Sequence, residues 1–502
     1  MDWLANLSLG FSVALTPVNL MYAFIGCILG TLIGVLPGIG PVATIAMLLP
    51  ATFTLPTVSA LIMLAGLYYG AQYGGSTTSI LVNLPGEASA VLTCLDGYQM
   101  ARQGRAGPAL AIAALGSFFA GSVGVLLLAA FAPPLMMLAA NFGPAEYFSL
   151  MVLGLIGAVV LASGSLLKAF AMVLLGLLLG LVGTDVNSGI PRFSFDIPEL
   201  MDGIGFVVVV MGIFGYGEII NNLGQSEKER EVFIGKVRGL FPTLQDFKKS
   251  VPAVLRGTFV GSALGVLPGG GALLGAFAAY AFEKKVRTKP DEIPLGKGNI
   301  RGVAAPESAN NAGAQTSFIP MLTLGIPPNP TMALMIGAMI IHNIQPGPQV
   351  LTRNPALFWG LVTSMWIGNL MLLILNLPLI GIWIKLLKVP YRYLFPAIIM
   401  FCAIGAYSMN NSTFDIWMLA GFGFVGYVFI KLGCEPAPLV LGFILGPMME
   451  ENLRRALLLS LGDWSTFVTR PLSAGLLAAA FLLLLLMLSP AVKKKRREAF
   501  EE

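Results

Sequence analysis

The sequence predicts an all-α polytopic membrane protein, with about 12 transmembrane or partial helices arranged as two inverted-topology repeats carrying broken helices or re-entrant hairpins. Three observations predict it. Of 502 residues, 56% are hydrophobic and 11% charged, against about 25% charged in a soluble domain. Apolar runs of roughly 20 residues, each able to cross about 30 Å of hydrocarbon, recur along the chain. The stretch "GTLIGVLPGIG" at 30–40 returns as "GSALGVLPGGG" at 261–271.

The apolar runs are long and unbroken, as in "GLLAAAFLLLLLML" at 475–488, whereas a membrane β-barrel alternates polarity in short segments. Candidate segments fall near 18–38, 40–53, 57–74, 108–131, 144–163, 166–184, 203–222, 251–269, 271–283, 306–325, 331–345, 356–386, 393–409, 413–431, 437–449 and 471–490. Several are too short to cross alone, and 356–386 is long enough for two, broken near Asn376 and Pro378. The start "MDWLANLSLG" lacks the basic region of a cleavable signal peptide. The cysteines Cys27, Cys94, Cys402 and Cys434 stand far apart, which suggests neither disulfides nor zinc but small packing residues.

At an offset of 231 (30 to 261), seven of eleven positions in the repeated stretch are identical: Gly30, Gly34, Val35, Leu36, Pro37, Gly38 and Gly40 match Gly261, Gly265, Val266, Leu267, Pro268, Gly269 and Gly271. A stretch rich in Ser, Thr and Asn follows each, "YGGSTTSILVNLPGEAS" at 73–89 and "NNAGAQTSFIPMLTLGIPPNP" at 310–330. This divides the chain into a first half at 1–222, a linker at 223–250, a second half at 251–450, and C-terminal helices with a basic tail at 451–502. Residues 284–301 hold six basic side chains where the matching 49–57 holds none, while Arg102 and Arg105 face a loop, 343–355, with only Arg353. Lys and Arg mark the cytoplasmic side. Equivalent loops on opposite sides describe an inverted repeat, the plan of many secondary transporters. With the basic linker and the tail "KKKRRE" also cytoplasmic, 251–283 enters and leaves on one face as a re-entrant hairpin, and 18–53 does so from the other. A kinked continuous crossing is the alternative.

Unwound backbone at membrane depth survives only where protein or a water-filled cavity covers it. Proline removes a donor and glycine lets the chain bend, so the breaks expose N–H groups at half-helix starts, which favour anions. The site expected between them draws substrate contacts from Pro37, Gly38, Gly40, Ser76, Thr77, Thr78, Asn83, Pro268, Gly269, Gly271, Asn310, Asn311, Thr316 and Ser317. Cation contacts are expected from Thr78, Ser79, Thr316, Thr323 and Glu307. Hydroxyl and amide oxygens suit Na⁺ or donate to carboxylates; they also serve simply as glue between helices. His342, the single histidine, reads as a polar helix end. "GIGPVA" at 38–43 mimics a nucleotide-binding turn, but its flanks are membrane helix and no strand precedes it. One histidine and no paired acidic motif leave no enzyme chemistry in view.

"GVLPGIGP", "DGYQMARQGRAGPAL" at 96–110, "GTDVNSGIPRFSF" at 183–195, "PESANNAGAQTSFIPMLTLGIPPNP" at 306–330 and "GPMMEENLRRALLLSLGD" at 446–463, in this order, resemble the large membrane subunit of the tripartite tricarboxylate transporter family. That resemblance implies a bacterial inner-membrane permease with a cytoplasmic C-terminus. It implies a small membrane subunit of about four spans and a periplasmic substrate-binding protein as partners. It also implies import of citrate-like carboxylates coupled to Na⁺ or H⁺, with no cofactor. The family's "LGIPG" stands here as "LGIPPNP", with Pro328 in the glycine's place.

Overall fold

The computed structural model describes residues 3–36, 40–139, 141–161, 165–185, 188–223, 239–267, 271–286, 292–386 and 391–488. Pro37, Gly38, Pro268 and Gly269, most of the 223–250 linker and the basic tail lie outside the described residues.

The chain is a succession of helices. In the first half these are α1 (Trp3–Ala14), α2 (Pro17–Val35), α3 (Gly40–Thr52), α4 (Thr57–Val82), the short α5 (Val91–Thr93) and α6 (Gln99–Arg102), α7 (Ala106–Ala139), α8 (Pro144–Leu161), α9 (Leu166–Gly180), α10 (Phe206–Val210) and α11 (Gly217–Leu223). Then come α12 (Leu244–Gly265), α13 (Gly271–Lys285), α14 (Arg301–Thr316), α15 (Phe318–Leu324), α16 (Pro330–Ile341), the short α17 (Gln349–Arg353), α18 (Pro355–Asn376), α19 (Ile380–Leu386), α20 (Tyr391–Asn410), α21 (Thr413–Lys431), α22 (Ala437–Leu459), α23 (Thr466–Thr469) and α24 (Pro471–Leu488). Four of the described helices, α2, α7, α18 and α21, are long and apolar enough to cross a bilayer; α3, α8, α9, α16 and α24 are apolar but shorter. The expected break near Asn376 is present between α18 and α19.

Some features depart from the sequence reading. A two-stranded antiparallel pair, Gly183–Thr184 with Pro191–Arg192, interrupts the helices. π-Helical turns at Cys94–Tyr98 and Met211–Tyr216 join α5 to α6 and α10 to α11. Helix α12 starts at Leu244, because Thr243 and Asp246 form a reciprocal capping box that satisfies two N–H groups left free at a helix start. Helix α22 runs through position 450 without a break.

The core is built on α4 and α14. Residues 59–82 of α4 are all buried, as is every residue of α14. Helix α14 reads "RGVAAPESANNAGAQT", too polar to face lipid, so its place is inside the protein. Helix α2 lies along α4, and α12 along α14. Both contacts use glycine at every fourth residue. A methyl built on Gly26, Gly30 or Gly34 would overlap the carbonyl oxygen of Met63, Leu67 or Ala71; on Gly257, Gly261 or Gly265 it would overlap Ala305 O, Ala309 O or the Gly313 backbone. The glycines match at the offset of 231 and their partners at 242, a difference of 11 residues absorbed by the longer connection before α14. Small residues let two backbones approach, and dispersion then holds them in a lipid-like medium. Helix α7 of the first half packs on α12 and α14 of the second, while α18 of the second packs on α2 and α4 of the first. Each half thus leans on the other's central helix.

Candidate functional site

Each half presents a pair of helix ends and a loop end to the interior. Gly40 and Gly271, equivalent at the offset of 231, open α3 and α13 with φ of +69° and +45°. In this region a side chain is strained and glycine is not. The first arms end alike as well. Thr78 Oγ1 donates to Gly34 O (3.2 Å) and Val35 O (2.9 Å). Ser317 Oγ lies 3.1 Å from Gly265 O and 2.7 Å from Gly313 O. A hydroxyl from the central helix (Thr78) or from its C-cap (Ser317) therefore reaches the equivalent carbonyl, Gly34 O or Gly265 O, in both halves.

The loop ends match at the offset of 242. Asn83 and Gly325 are left-handed C-caps with φ of 58° and 72°. Pro85 and Pro327 follow. Glu87 and Asn329 are extended caps, φ −149° and −154°, ahead of the helices at Ala88–Ala90 and Pro330–Ile341. A methyl on Gly86 would strike Gly34 O, and one on Gly271 would come within 2.9 Å of Asn329 Nδ2. The loop end therefore touches the end of α2 in the first half and the start of α13 in the second.

Contacts between halves follow the same equivalence. Asn310 Nδ2 on α14 donates to Glu87 Oε1 (3.0 Å). Tyr68, Asn310's counterpart on α4, accepts at its hydroxyl from Asn329 Nδ2 (3.5 Å), which also donates to Ser317 Oγ (3.2 Å). The Gln72 amide lies against Glu87, Ser89 and Asn310. Glu87 also accepts from Ser89 Oγ. The result is a polar cluster with a carboxylate at one end and an amide at the other. It can hold a cation or proton beside Glu87 and carboxylate oxygens beside Asn329 and the start of α13.

Deeper between α4 and α14 is Glu307, fully buried. It accepts from Ser76 Oγ and from Thr93 Oγ1 (2.5 Å). No basic side chain pairs with it among the described residues. Dehydrating a lone carboxylate costs several kcal/mol, and two hydroxyl donors offset part of that. Beside it runs a seam where α4, α7, α14 and α18 cross. There Ser308 Oγ, Asn311 Oδ1, both polar atoms of Gln315, Asn369 Nδ2 and the Tyr69 hydroxyl are buried without a protein partner among the described residues. Each such group, left dry, costs about 1–3 kcal/mol.

The structure brings some sequence candidates to the cluster and sends others elsewhere. Gly271, Asn310 and Ser317 line it; Ser76 and Glu307 form the buried carboxylate centre beside it. Thr78 seals the end of α2, and Gly40 opens α3. Ser79 donates to Ala90 O (3.0 Å), Thr316 to Ala312 O (3.1 Å) and Thr323 to Ile319 O (2.7 Å), so these hydroxyls serve backbone carbonyls. Asn311 faces α7, where Nδ2 donates to Ser117 Oγ (2.7 Å). Thr77 is buried, and Asn83 is exposed at the end of α4. Tyr68, Gln72, Glu87, Thr93 and Asn329 join the cluster or its centre. Glu87 and Asn329 have a readable signal, since each follows a proline that ends a Ser/Thr-rich stretch; Tyr68 and Gln72 have none.

On another face, a cavity of about 580 Å³ is lined by Tyr147, Asn343, Gln345, Asn452 and Arg455 and reaches Leu324, one residue before the second loop end. His342 caps α16, with Nδ1 3.4 Å from Thr57 Oγ1. No group of three or more metal-binding side chains occurs among the described residues.

Comparison with known proteins gives three findings. A family model described as the tripartite tricarboxylate transporter TctA family matches residues 20–441. An uncharacterized 52.8 kDa protein of the TAR-I ttuC' 3' region of Agrobacterium vitis is 60% identical over 478 residues, 95% of each chain. An uncharacterized protein of the TAR-II ttuC' 3' region of the same organism is 61% identical over 217 residues, 43% of this chain and 89% of that one. No solved structure matches.

Proposed function

Because the chain belongs to the TctA family of tripartite tricarboxylate transporters, whose work is transport and not catalysis, we propose that it is the large permease subunit of a binding-protein-dependent secondary transporter, importing citrate-like di- or tricarboxylates on an Na⁺ or H⁺ gradient. It sits in the bacterial inner membrane with its C-terminus in the cytoplasm, beside a small membrane subunit of about four spans. A periplasmic binding protein delivers the substrate.

The observation that carries this reading is the reciprocal pair of contacts, Asn310 with Glu87 and Tyr68 with Asn329. Residues equivalent between the halves meet residues equivalent between the halves, as two inverted repeats facing each other require. The substrate's carboxylates lie towards Asn329 and the positive starts of α3 and α13. The coupling cation lies towards Glu87 and Glu307 and offsets the anion's charge. Because each half leans on the other's central helix, a shift of one against the other turns the cluster from the outer face to the inner. The membrane potential contributes about 2.3 kcal/mol per net positive charge per 100 mV, so excess cations drive accumulation.

The test is counterflow and uptake by the three-component system in proteoliposomes, with labelled di- and tricarboxylates, with and without sodium. Exchange of internal unlabelled for external labelled citrate is expected. A chain that admits no exchange is a channel or scaffold subunit, and the proposal fails.

A further inference from the structure

We infer that the seam where α4, α7, α14 and α18 cross is a hydrated polar file that conducts protons to Glu307, and that Glu307 carries the coupling proton. This deepens the transport reading and rests on it.

The partnerless atoms of the seam come from α4, α14 and α18 where these meet around α7. Ser308, Asn311 and Gln315 recur at three- and four-residue spacing on one face of α14, and that face meets α7. Methyls built on Gly116 and Gly124 would crowd Ser308 and Gln315, and one built on Gly121 would crowd Asn369 of α18. Ser117, on the same face of α7, already holds Asn311 Nδ2. On the α4 side Tyr73 donates to Asn369 Oδ1 (3.2 Å), and the Tyr69 hydroxyl lies close to Gly368.

The choice of occupant follows from spacing and chemistry. Ser308 and Gln315 are seven residues apart, a rise of about 10 Å, which is too far for one ion to touch both and suits a file of roughly three or four waters. Both donors (Gln315 Nε2, Asn369 Nδ2) and acceptors (Asn311 Oδ1, Gln315 Oε1) lack partners. A bare cation satisfies only acceptors, whereas water satisfies both.

The file ends at a carboxyl that both protonation states suit. Ionised, Glu307 accepts from Ser76 Oγ and Thr93 Oγ1. Ser76 Oγ also lies 3.1 Å from Gln72 O. When water in the file passes a proton to Glu307, the new carboxyl O–H donates to Ser76 Oγ, whose own hydrogen turns to Gln72 O. Release to water on the other side reverses this, so one proton crosses per cycle and no group is stranded. Ionisable groups facing Glu307 are Glu87 from the loop end, Tyr73 from α4 and Cys94 from the π-turn. Arg256 of α12 and Arg301 of α14 are engaged by Glu283 of α13. No basic residue on α7 faces the seam among the described residues.

The experiment uses the three-component system in proteoliposomes with labelled citrate, an imposed inward proton gradient, no sodium, and an internal pH dye. The wild type is expected to accumulate citrate and acidify the lumen. Glu307→Gln, fixed in a protonated-like state, is expected to lose at least tenfold in accumulation and acidification while exchange stays measurable. Glu307→Asp should restore part of both with a displaced pH profile. Gln315→Leu and Asn369→Leu should slow acidification at least threefold, and they decide the matter if Glu307→Gln fails to fold. Wild-type acidification from folded Glu307→Gln, or a wild type that accumulates citrate only with sodium and without acidification, overturns the inference and leaves the transport reading standing. Absence of exchange of every labelled di- and tricarboxylate in the wild type sinks that reading and this inference with it.

Discussion

Gly261 and Gly421 are both helical glycines, yet they answer to different demands. A methyl on Gly261 would overlap Ala309 O, while nothing lies within 4 Å of one on Gly421. Gly261→Ala should therefore destabilise by about 1–3 kcal/mol, the usual cost of overpacking, and lower the melting temperature in detergent; Gly421→Ala should leave it level or raise it. Glu283 is a second such position. It is fully buried in α13 and accepts from Arg256 Nε (2.5 Å) and from Arg301 Nε (3.0 Å) and Nη2 (2.7 Å). Glu283→Ala takes away the partner of the partly exposed Arg256 and one of the two partners of buried Arg301, which keeps Glu292 at 3.2 Å, so thermal denaturation should show a loss of about 1.5–3 kcal/mol. A third is Asp246, outside the apolar part of α12. Burial alone would raise its carboxyl, but the Thr243 hydrogen bonds and the Arg105 guanidinium outweigh that and hold it below its ordinary value. The contribution is then complete above the ordinary carboxylate range and fades as pH falls through the folded value. Melting curves of wild type and Asp246→Asn should differ at pH 7 and converge towards pH 3.

At the scale of elements, the interruptions between α2 and α3 and between α12 and α13 are legible because proline and glycine write a helix break directly into the sequence. Each of the stretches 18–53 and 251–283 contains two helices, one ending at Val35 or Gly265 and the next starting at Gly40 or Gly271. The stripes Gly26, Gly30, Gly34 and Gly257, Gly261, Gly265 are visible as four-residue spacings, but what they press against is not. The second equivalence, at 242, is not legible in the sequence because α4 and α14 share geometry more than residues: Asn83 and Gly325 are different amino acids doing the same left-handed capping. Arg301, by sequence a loop charge, is an interior ion-pair partner, since 18 residues of sequence hide its contact with Glu283. The π-turns have no local signature. Thr78 and Ser317 follow from the hairpins' shared end. Thr78→Val and Ser317→Ala each strand a carbonyl at a helix end, so each should slow carboxylate uptake several-fold with membrane insertion intact, measured as uptake per folded transporter.

At the scale of the molecule, the halves are not stacked side by side but interleaved, with α7 and α18 each packed on the opposite half's central helix. Composition makes the bilayer legible, and the repeated glycines make the equivalent positions of α2 and α12 legible. The meeting of Asn310 with Glu87 and Tyr68 with Asn329 was not, because partners over 200 residues apart leave no local trace. The most direct measurement is the affinity of labelled citrate for the reconstituted system carrying Asn310→Ala or Asn329→Ala, one from each end of the cluster. Both substitutions are predicted to weaken citrate at least tenfold while the protein stays folded. Wild-type affinity from both would contradict a carboxylate site at the junction of the two halves.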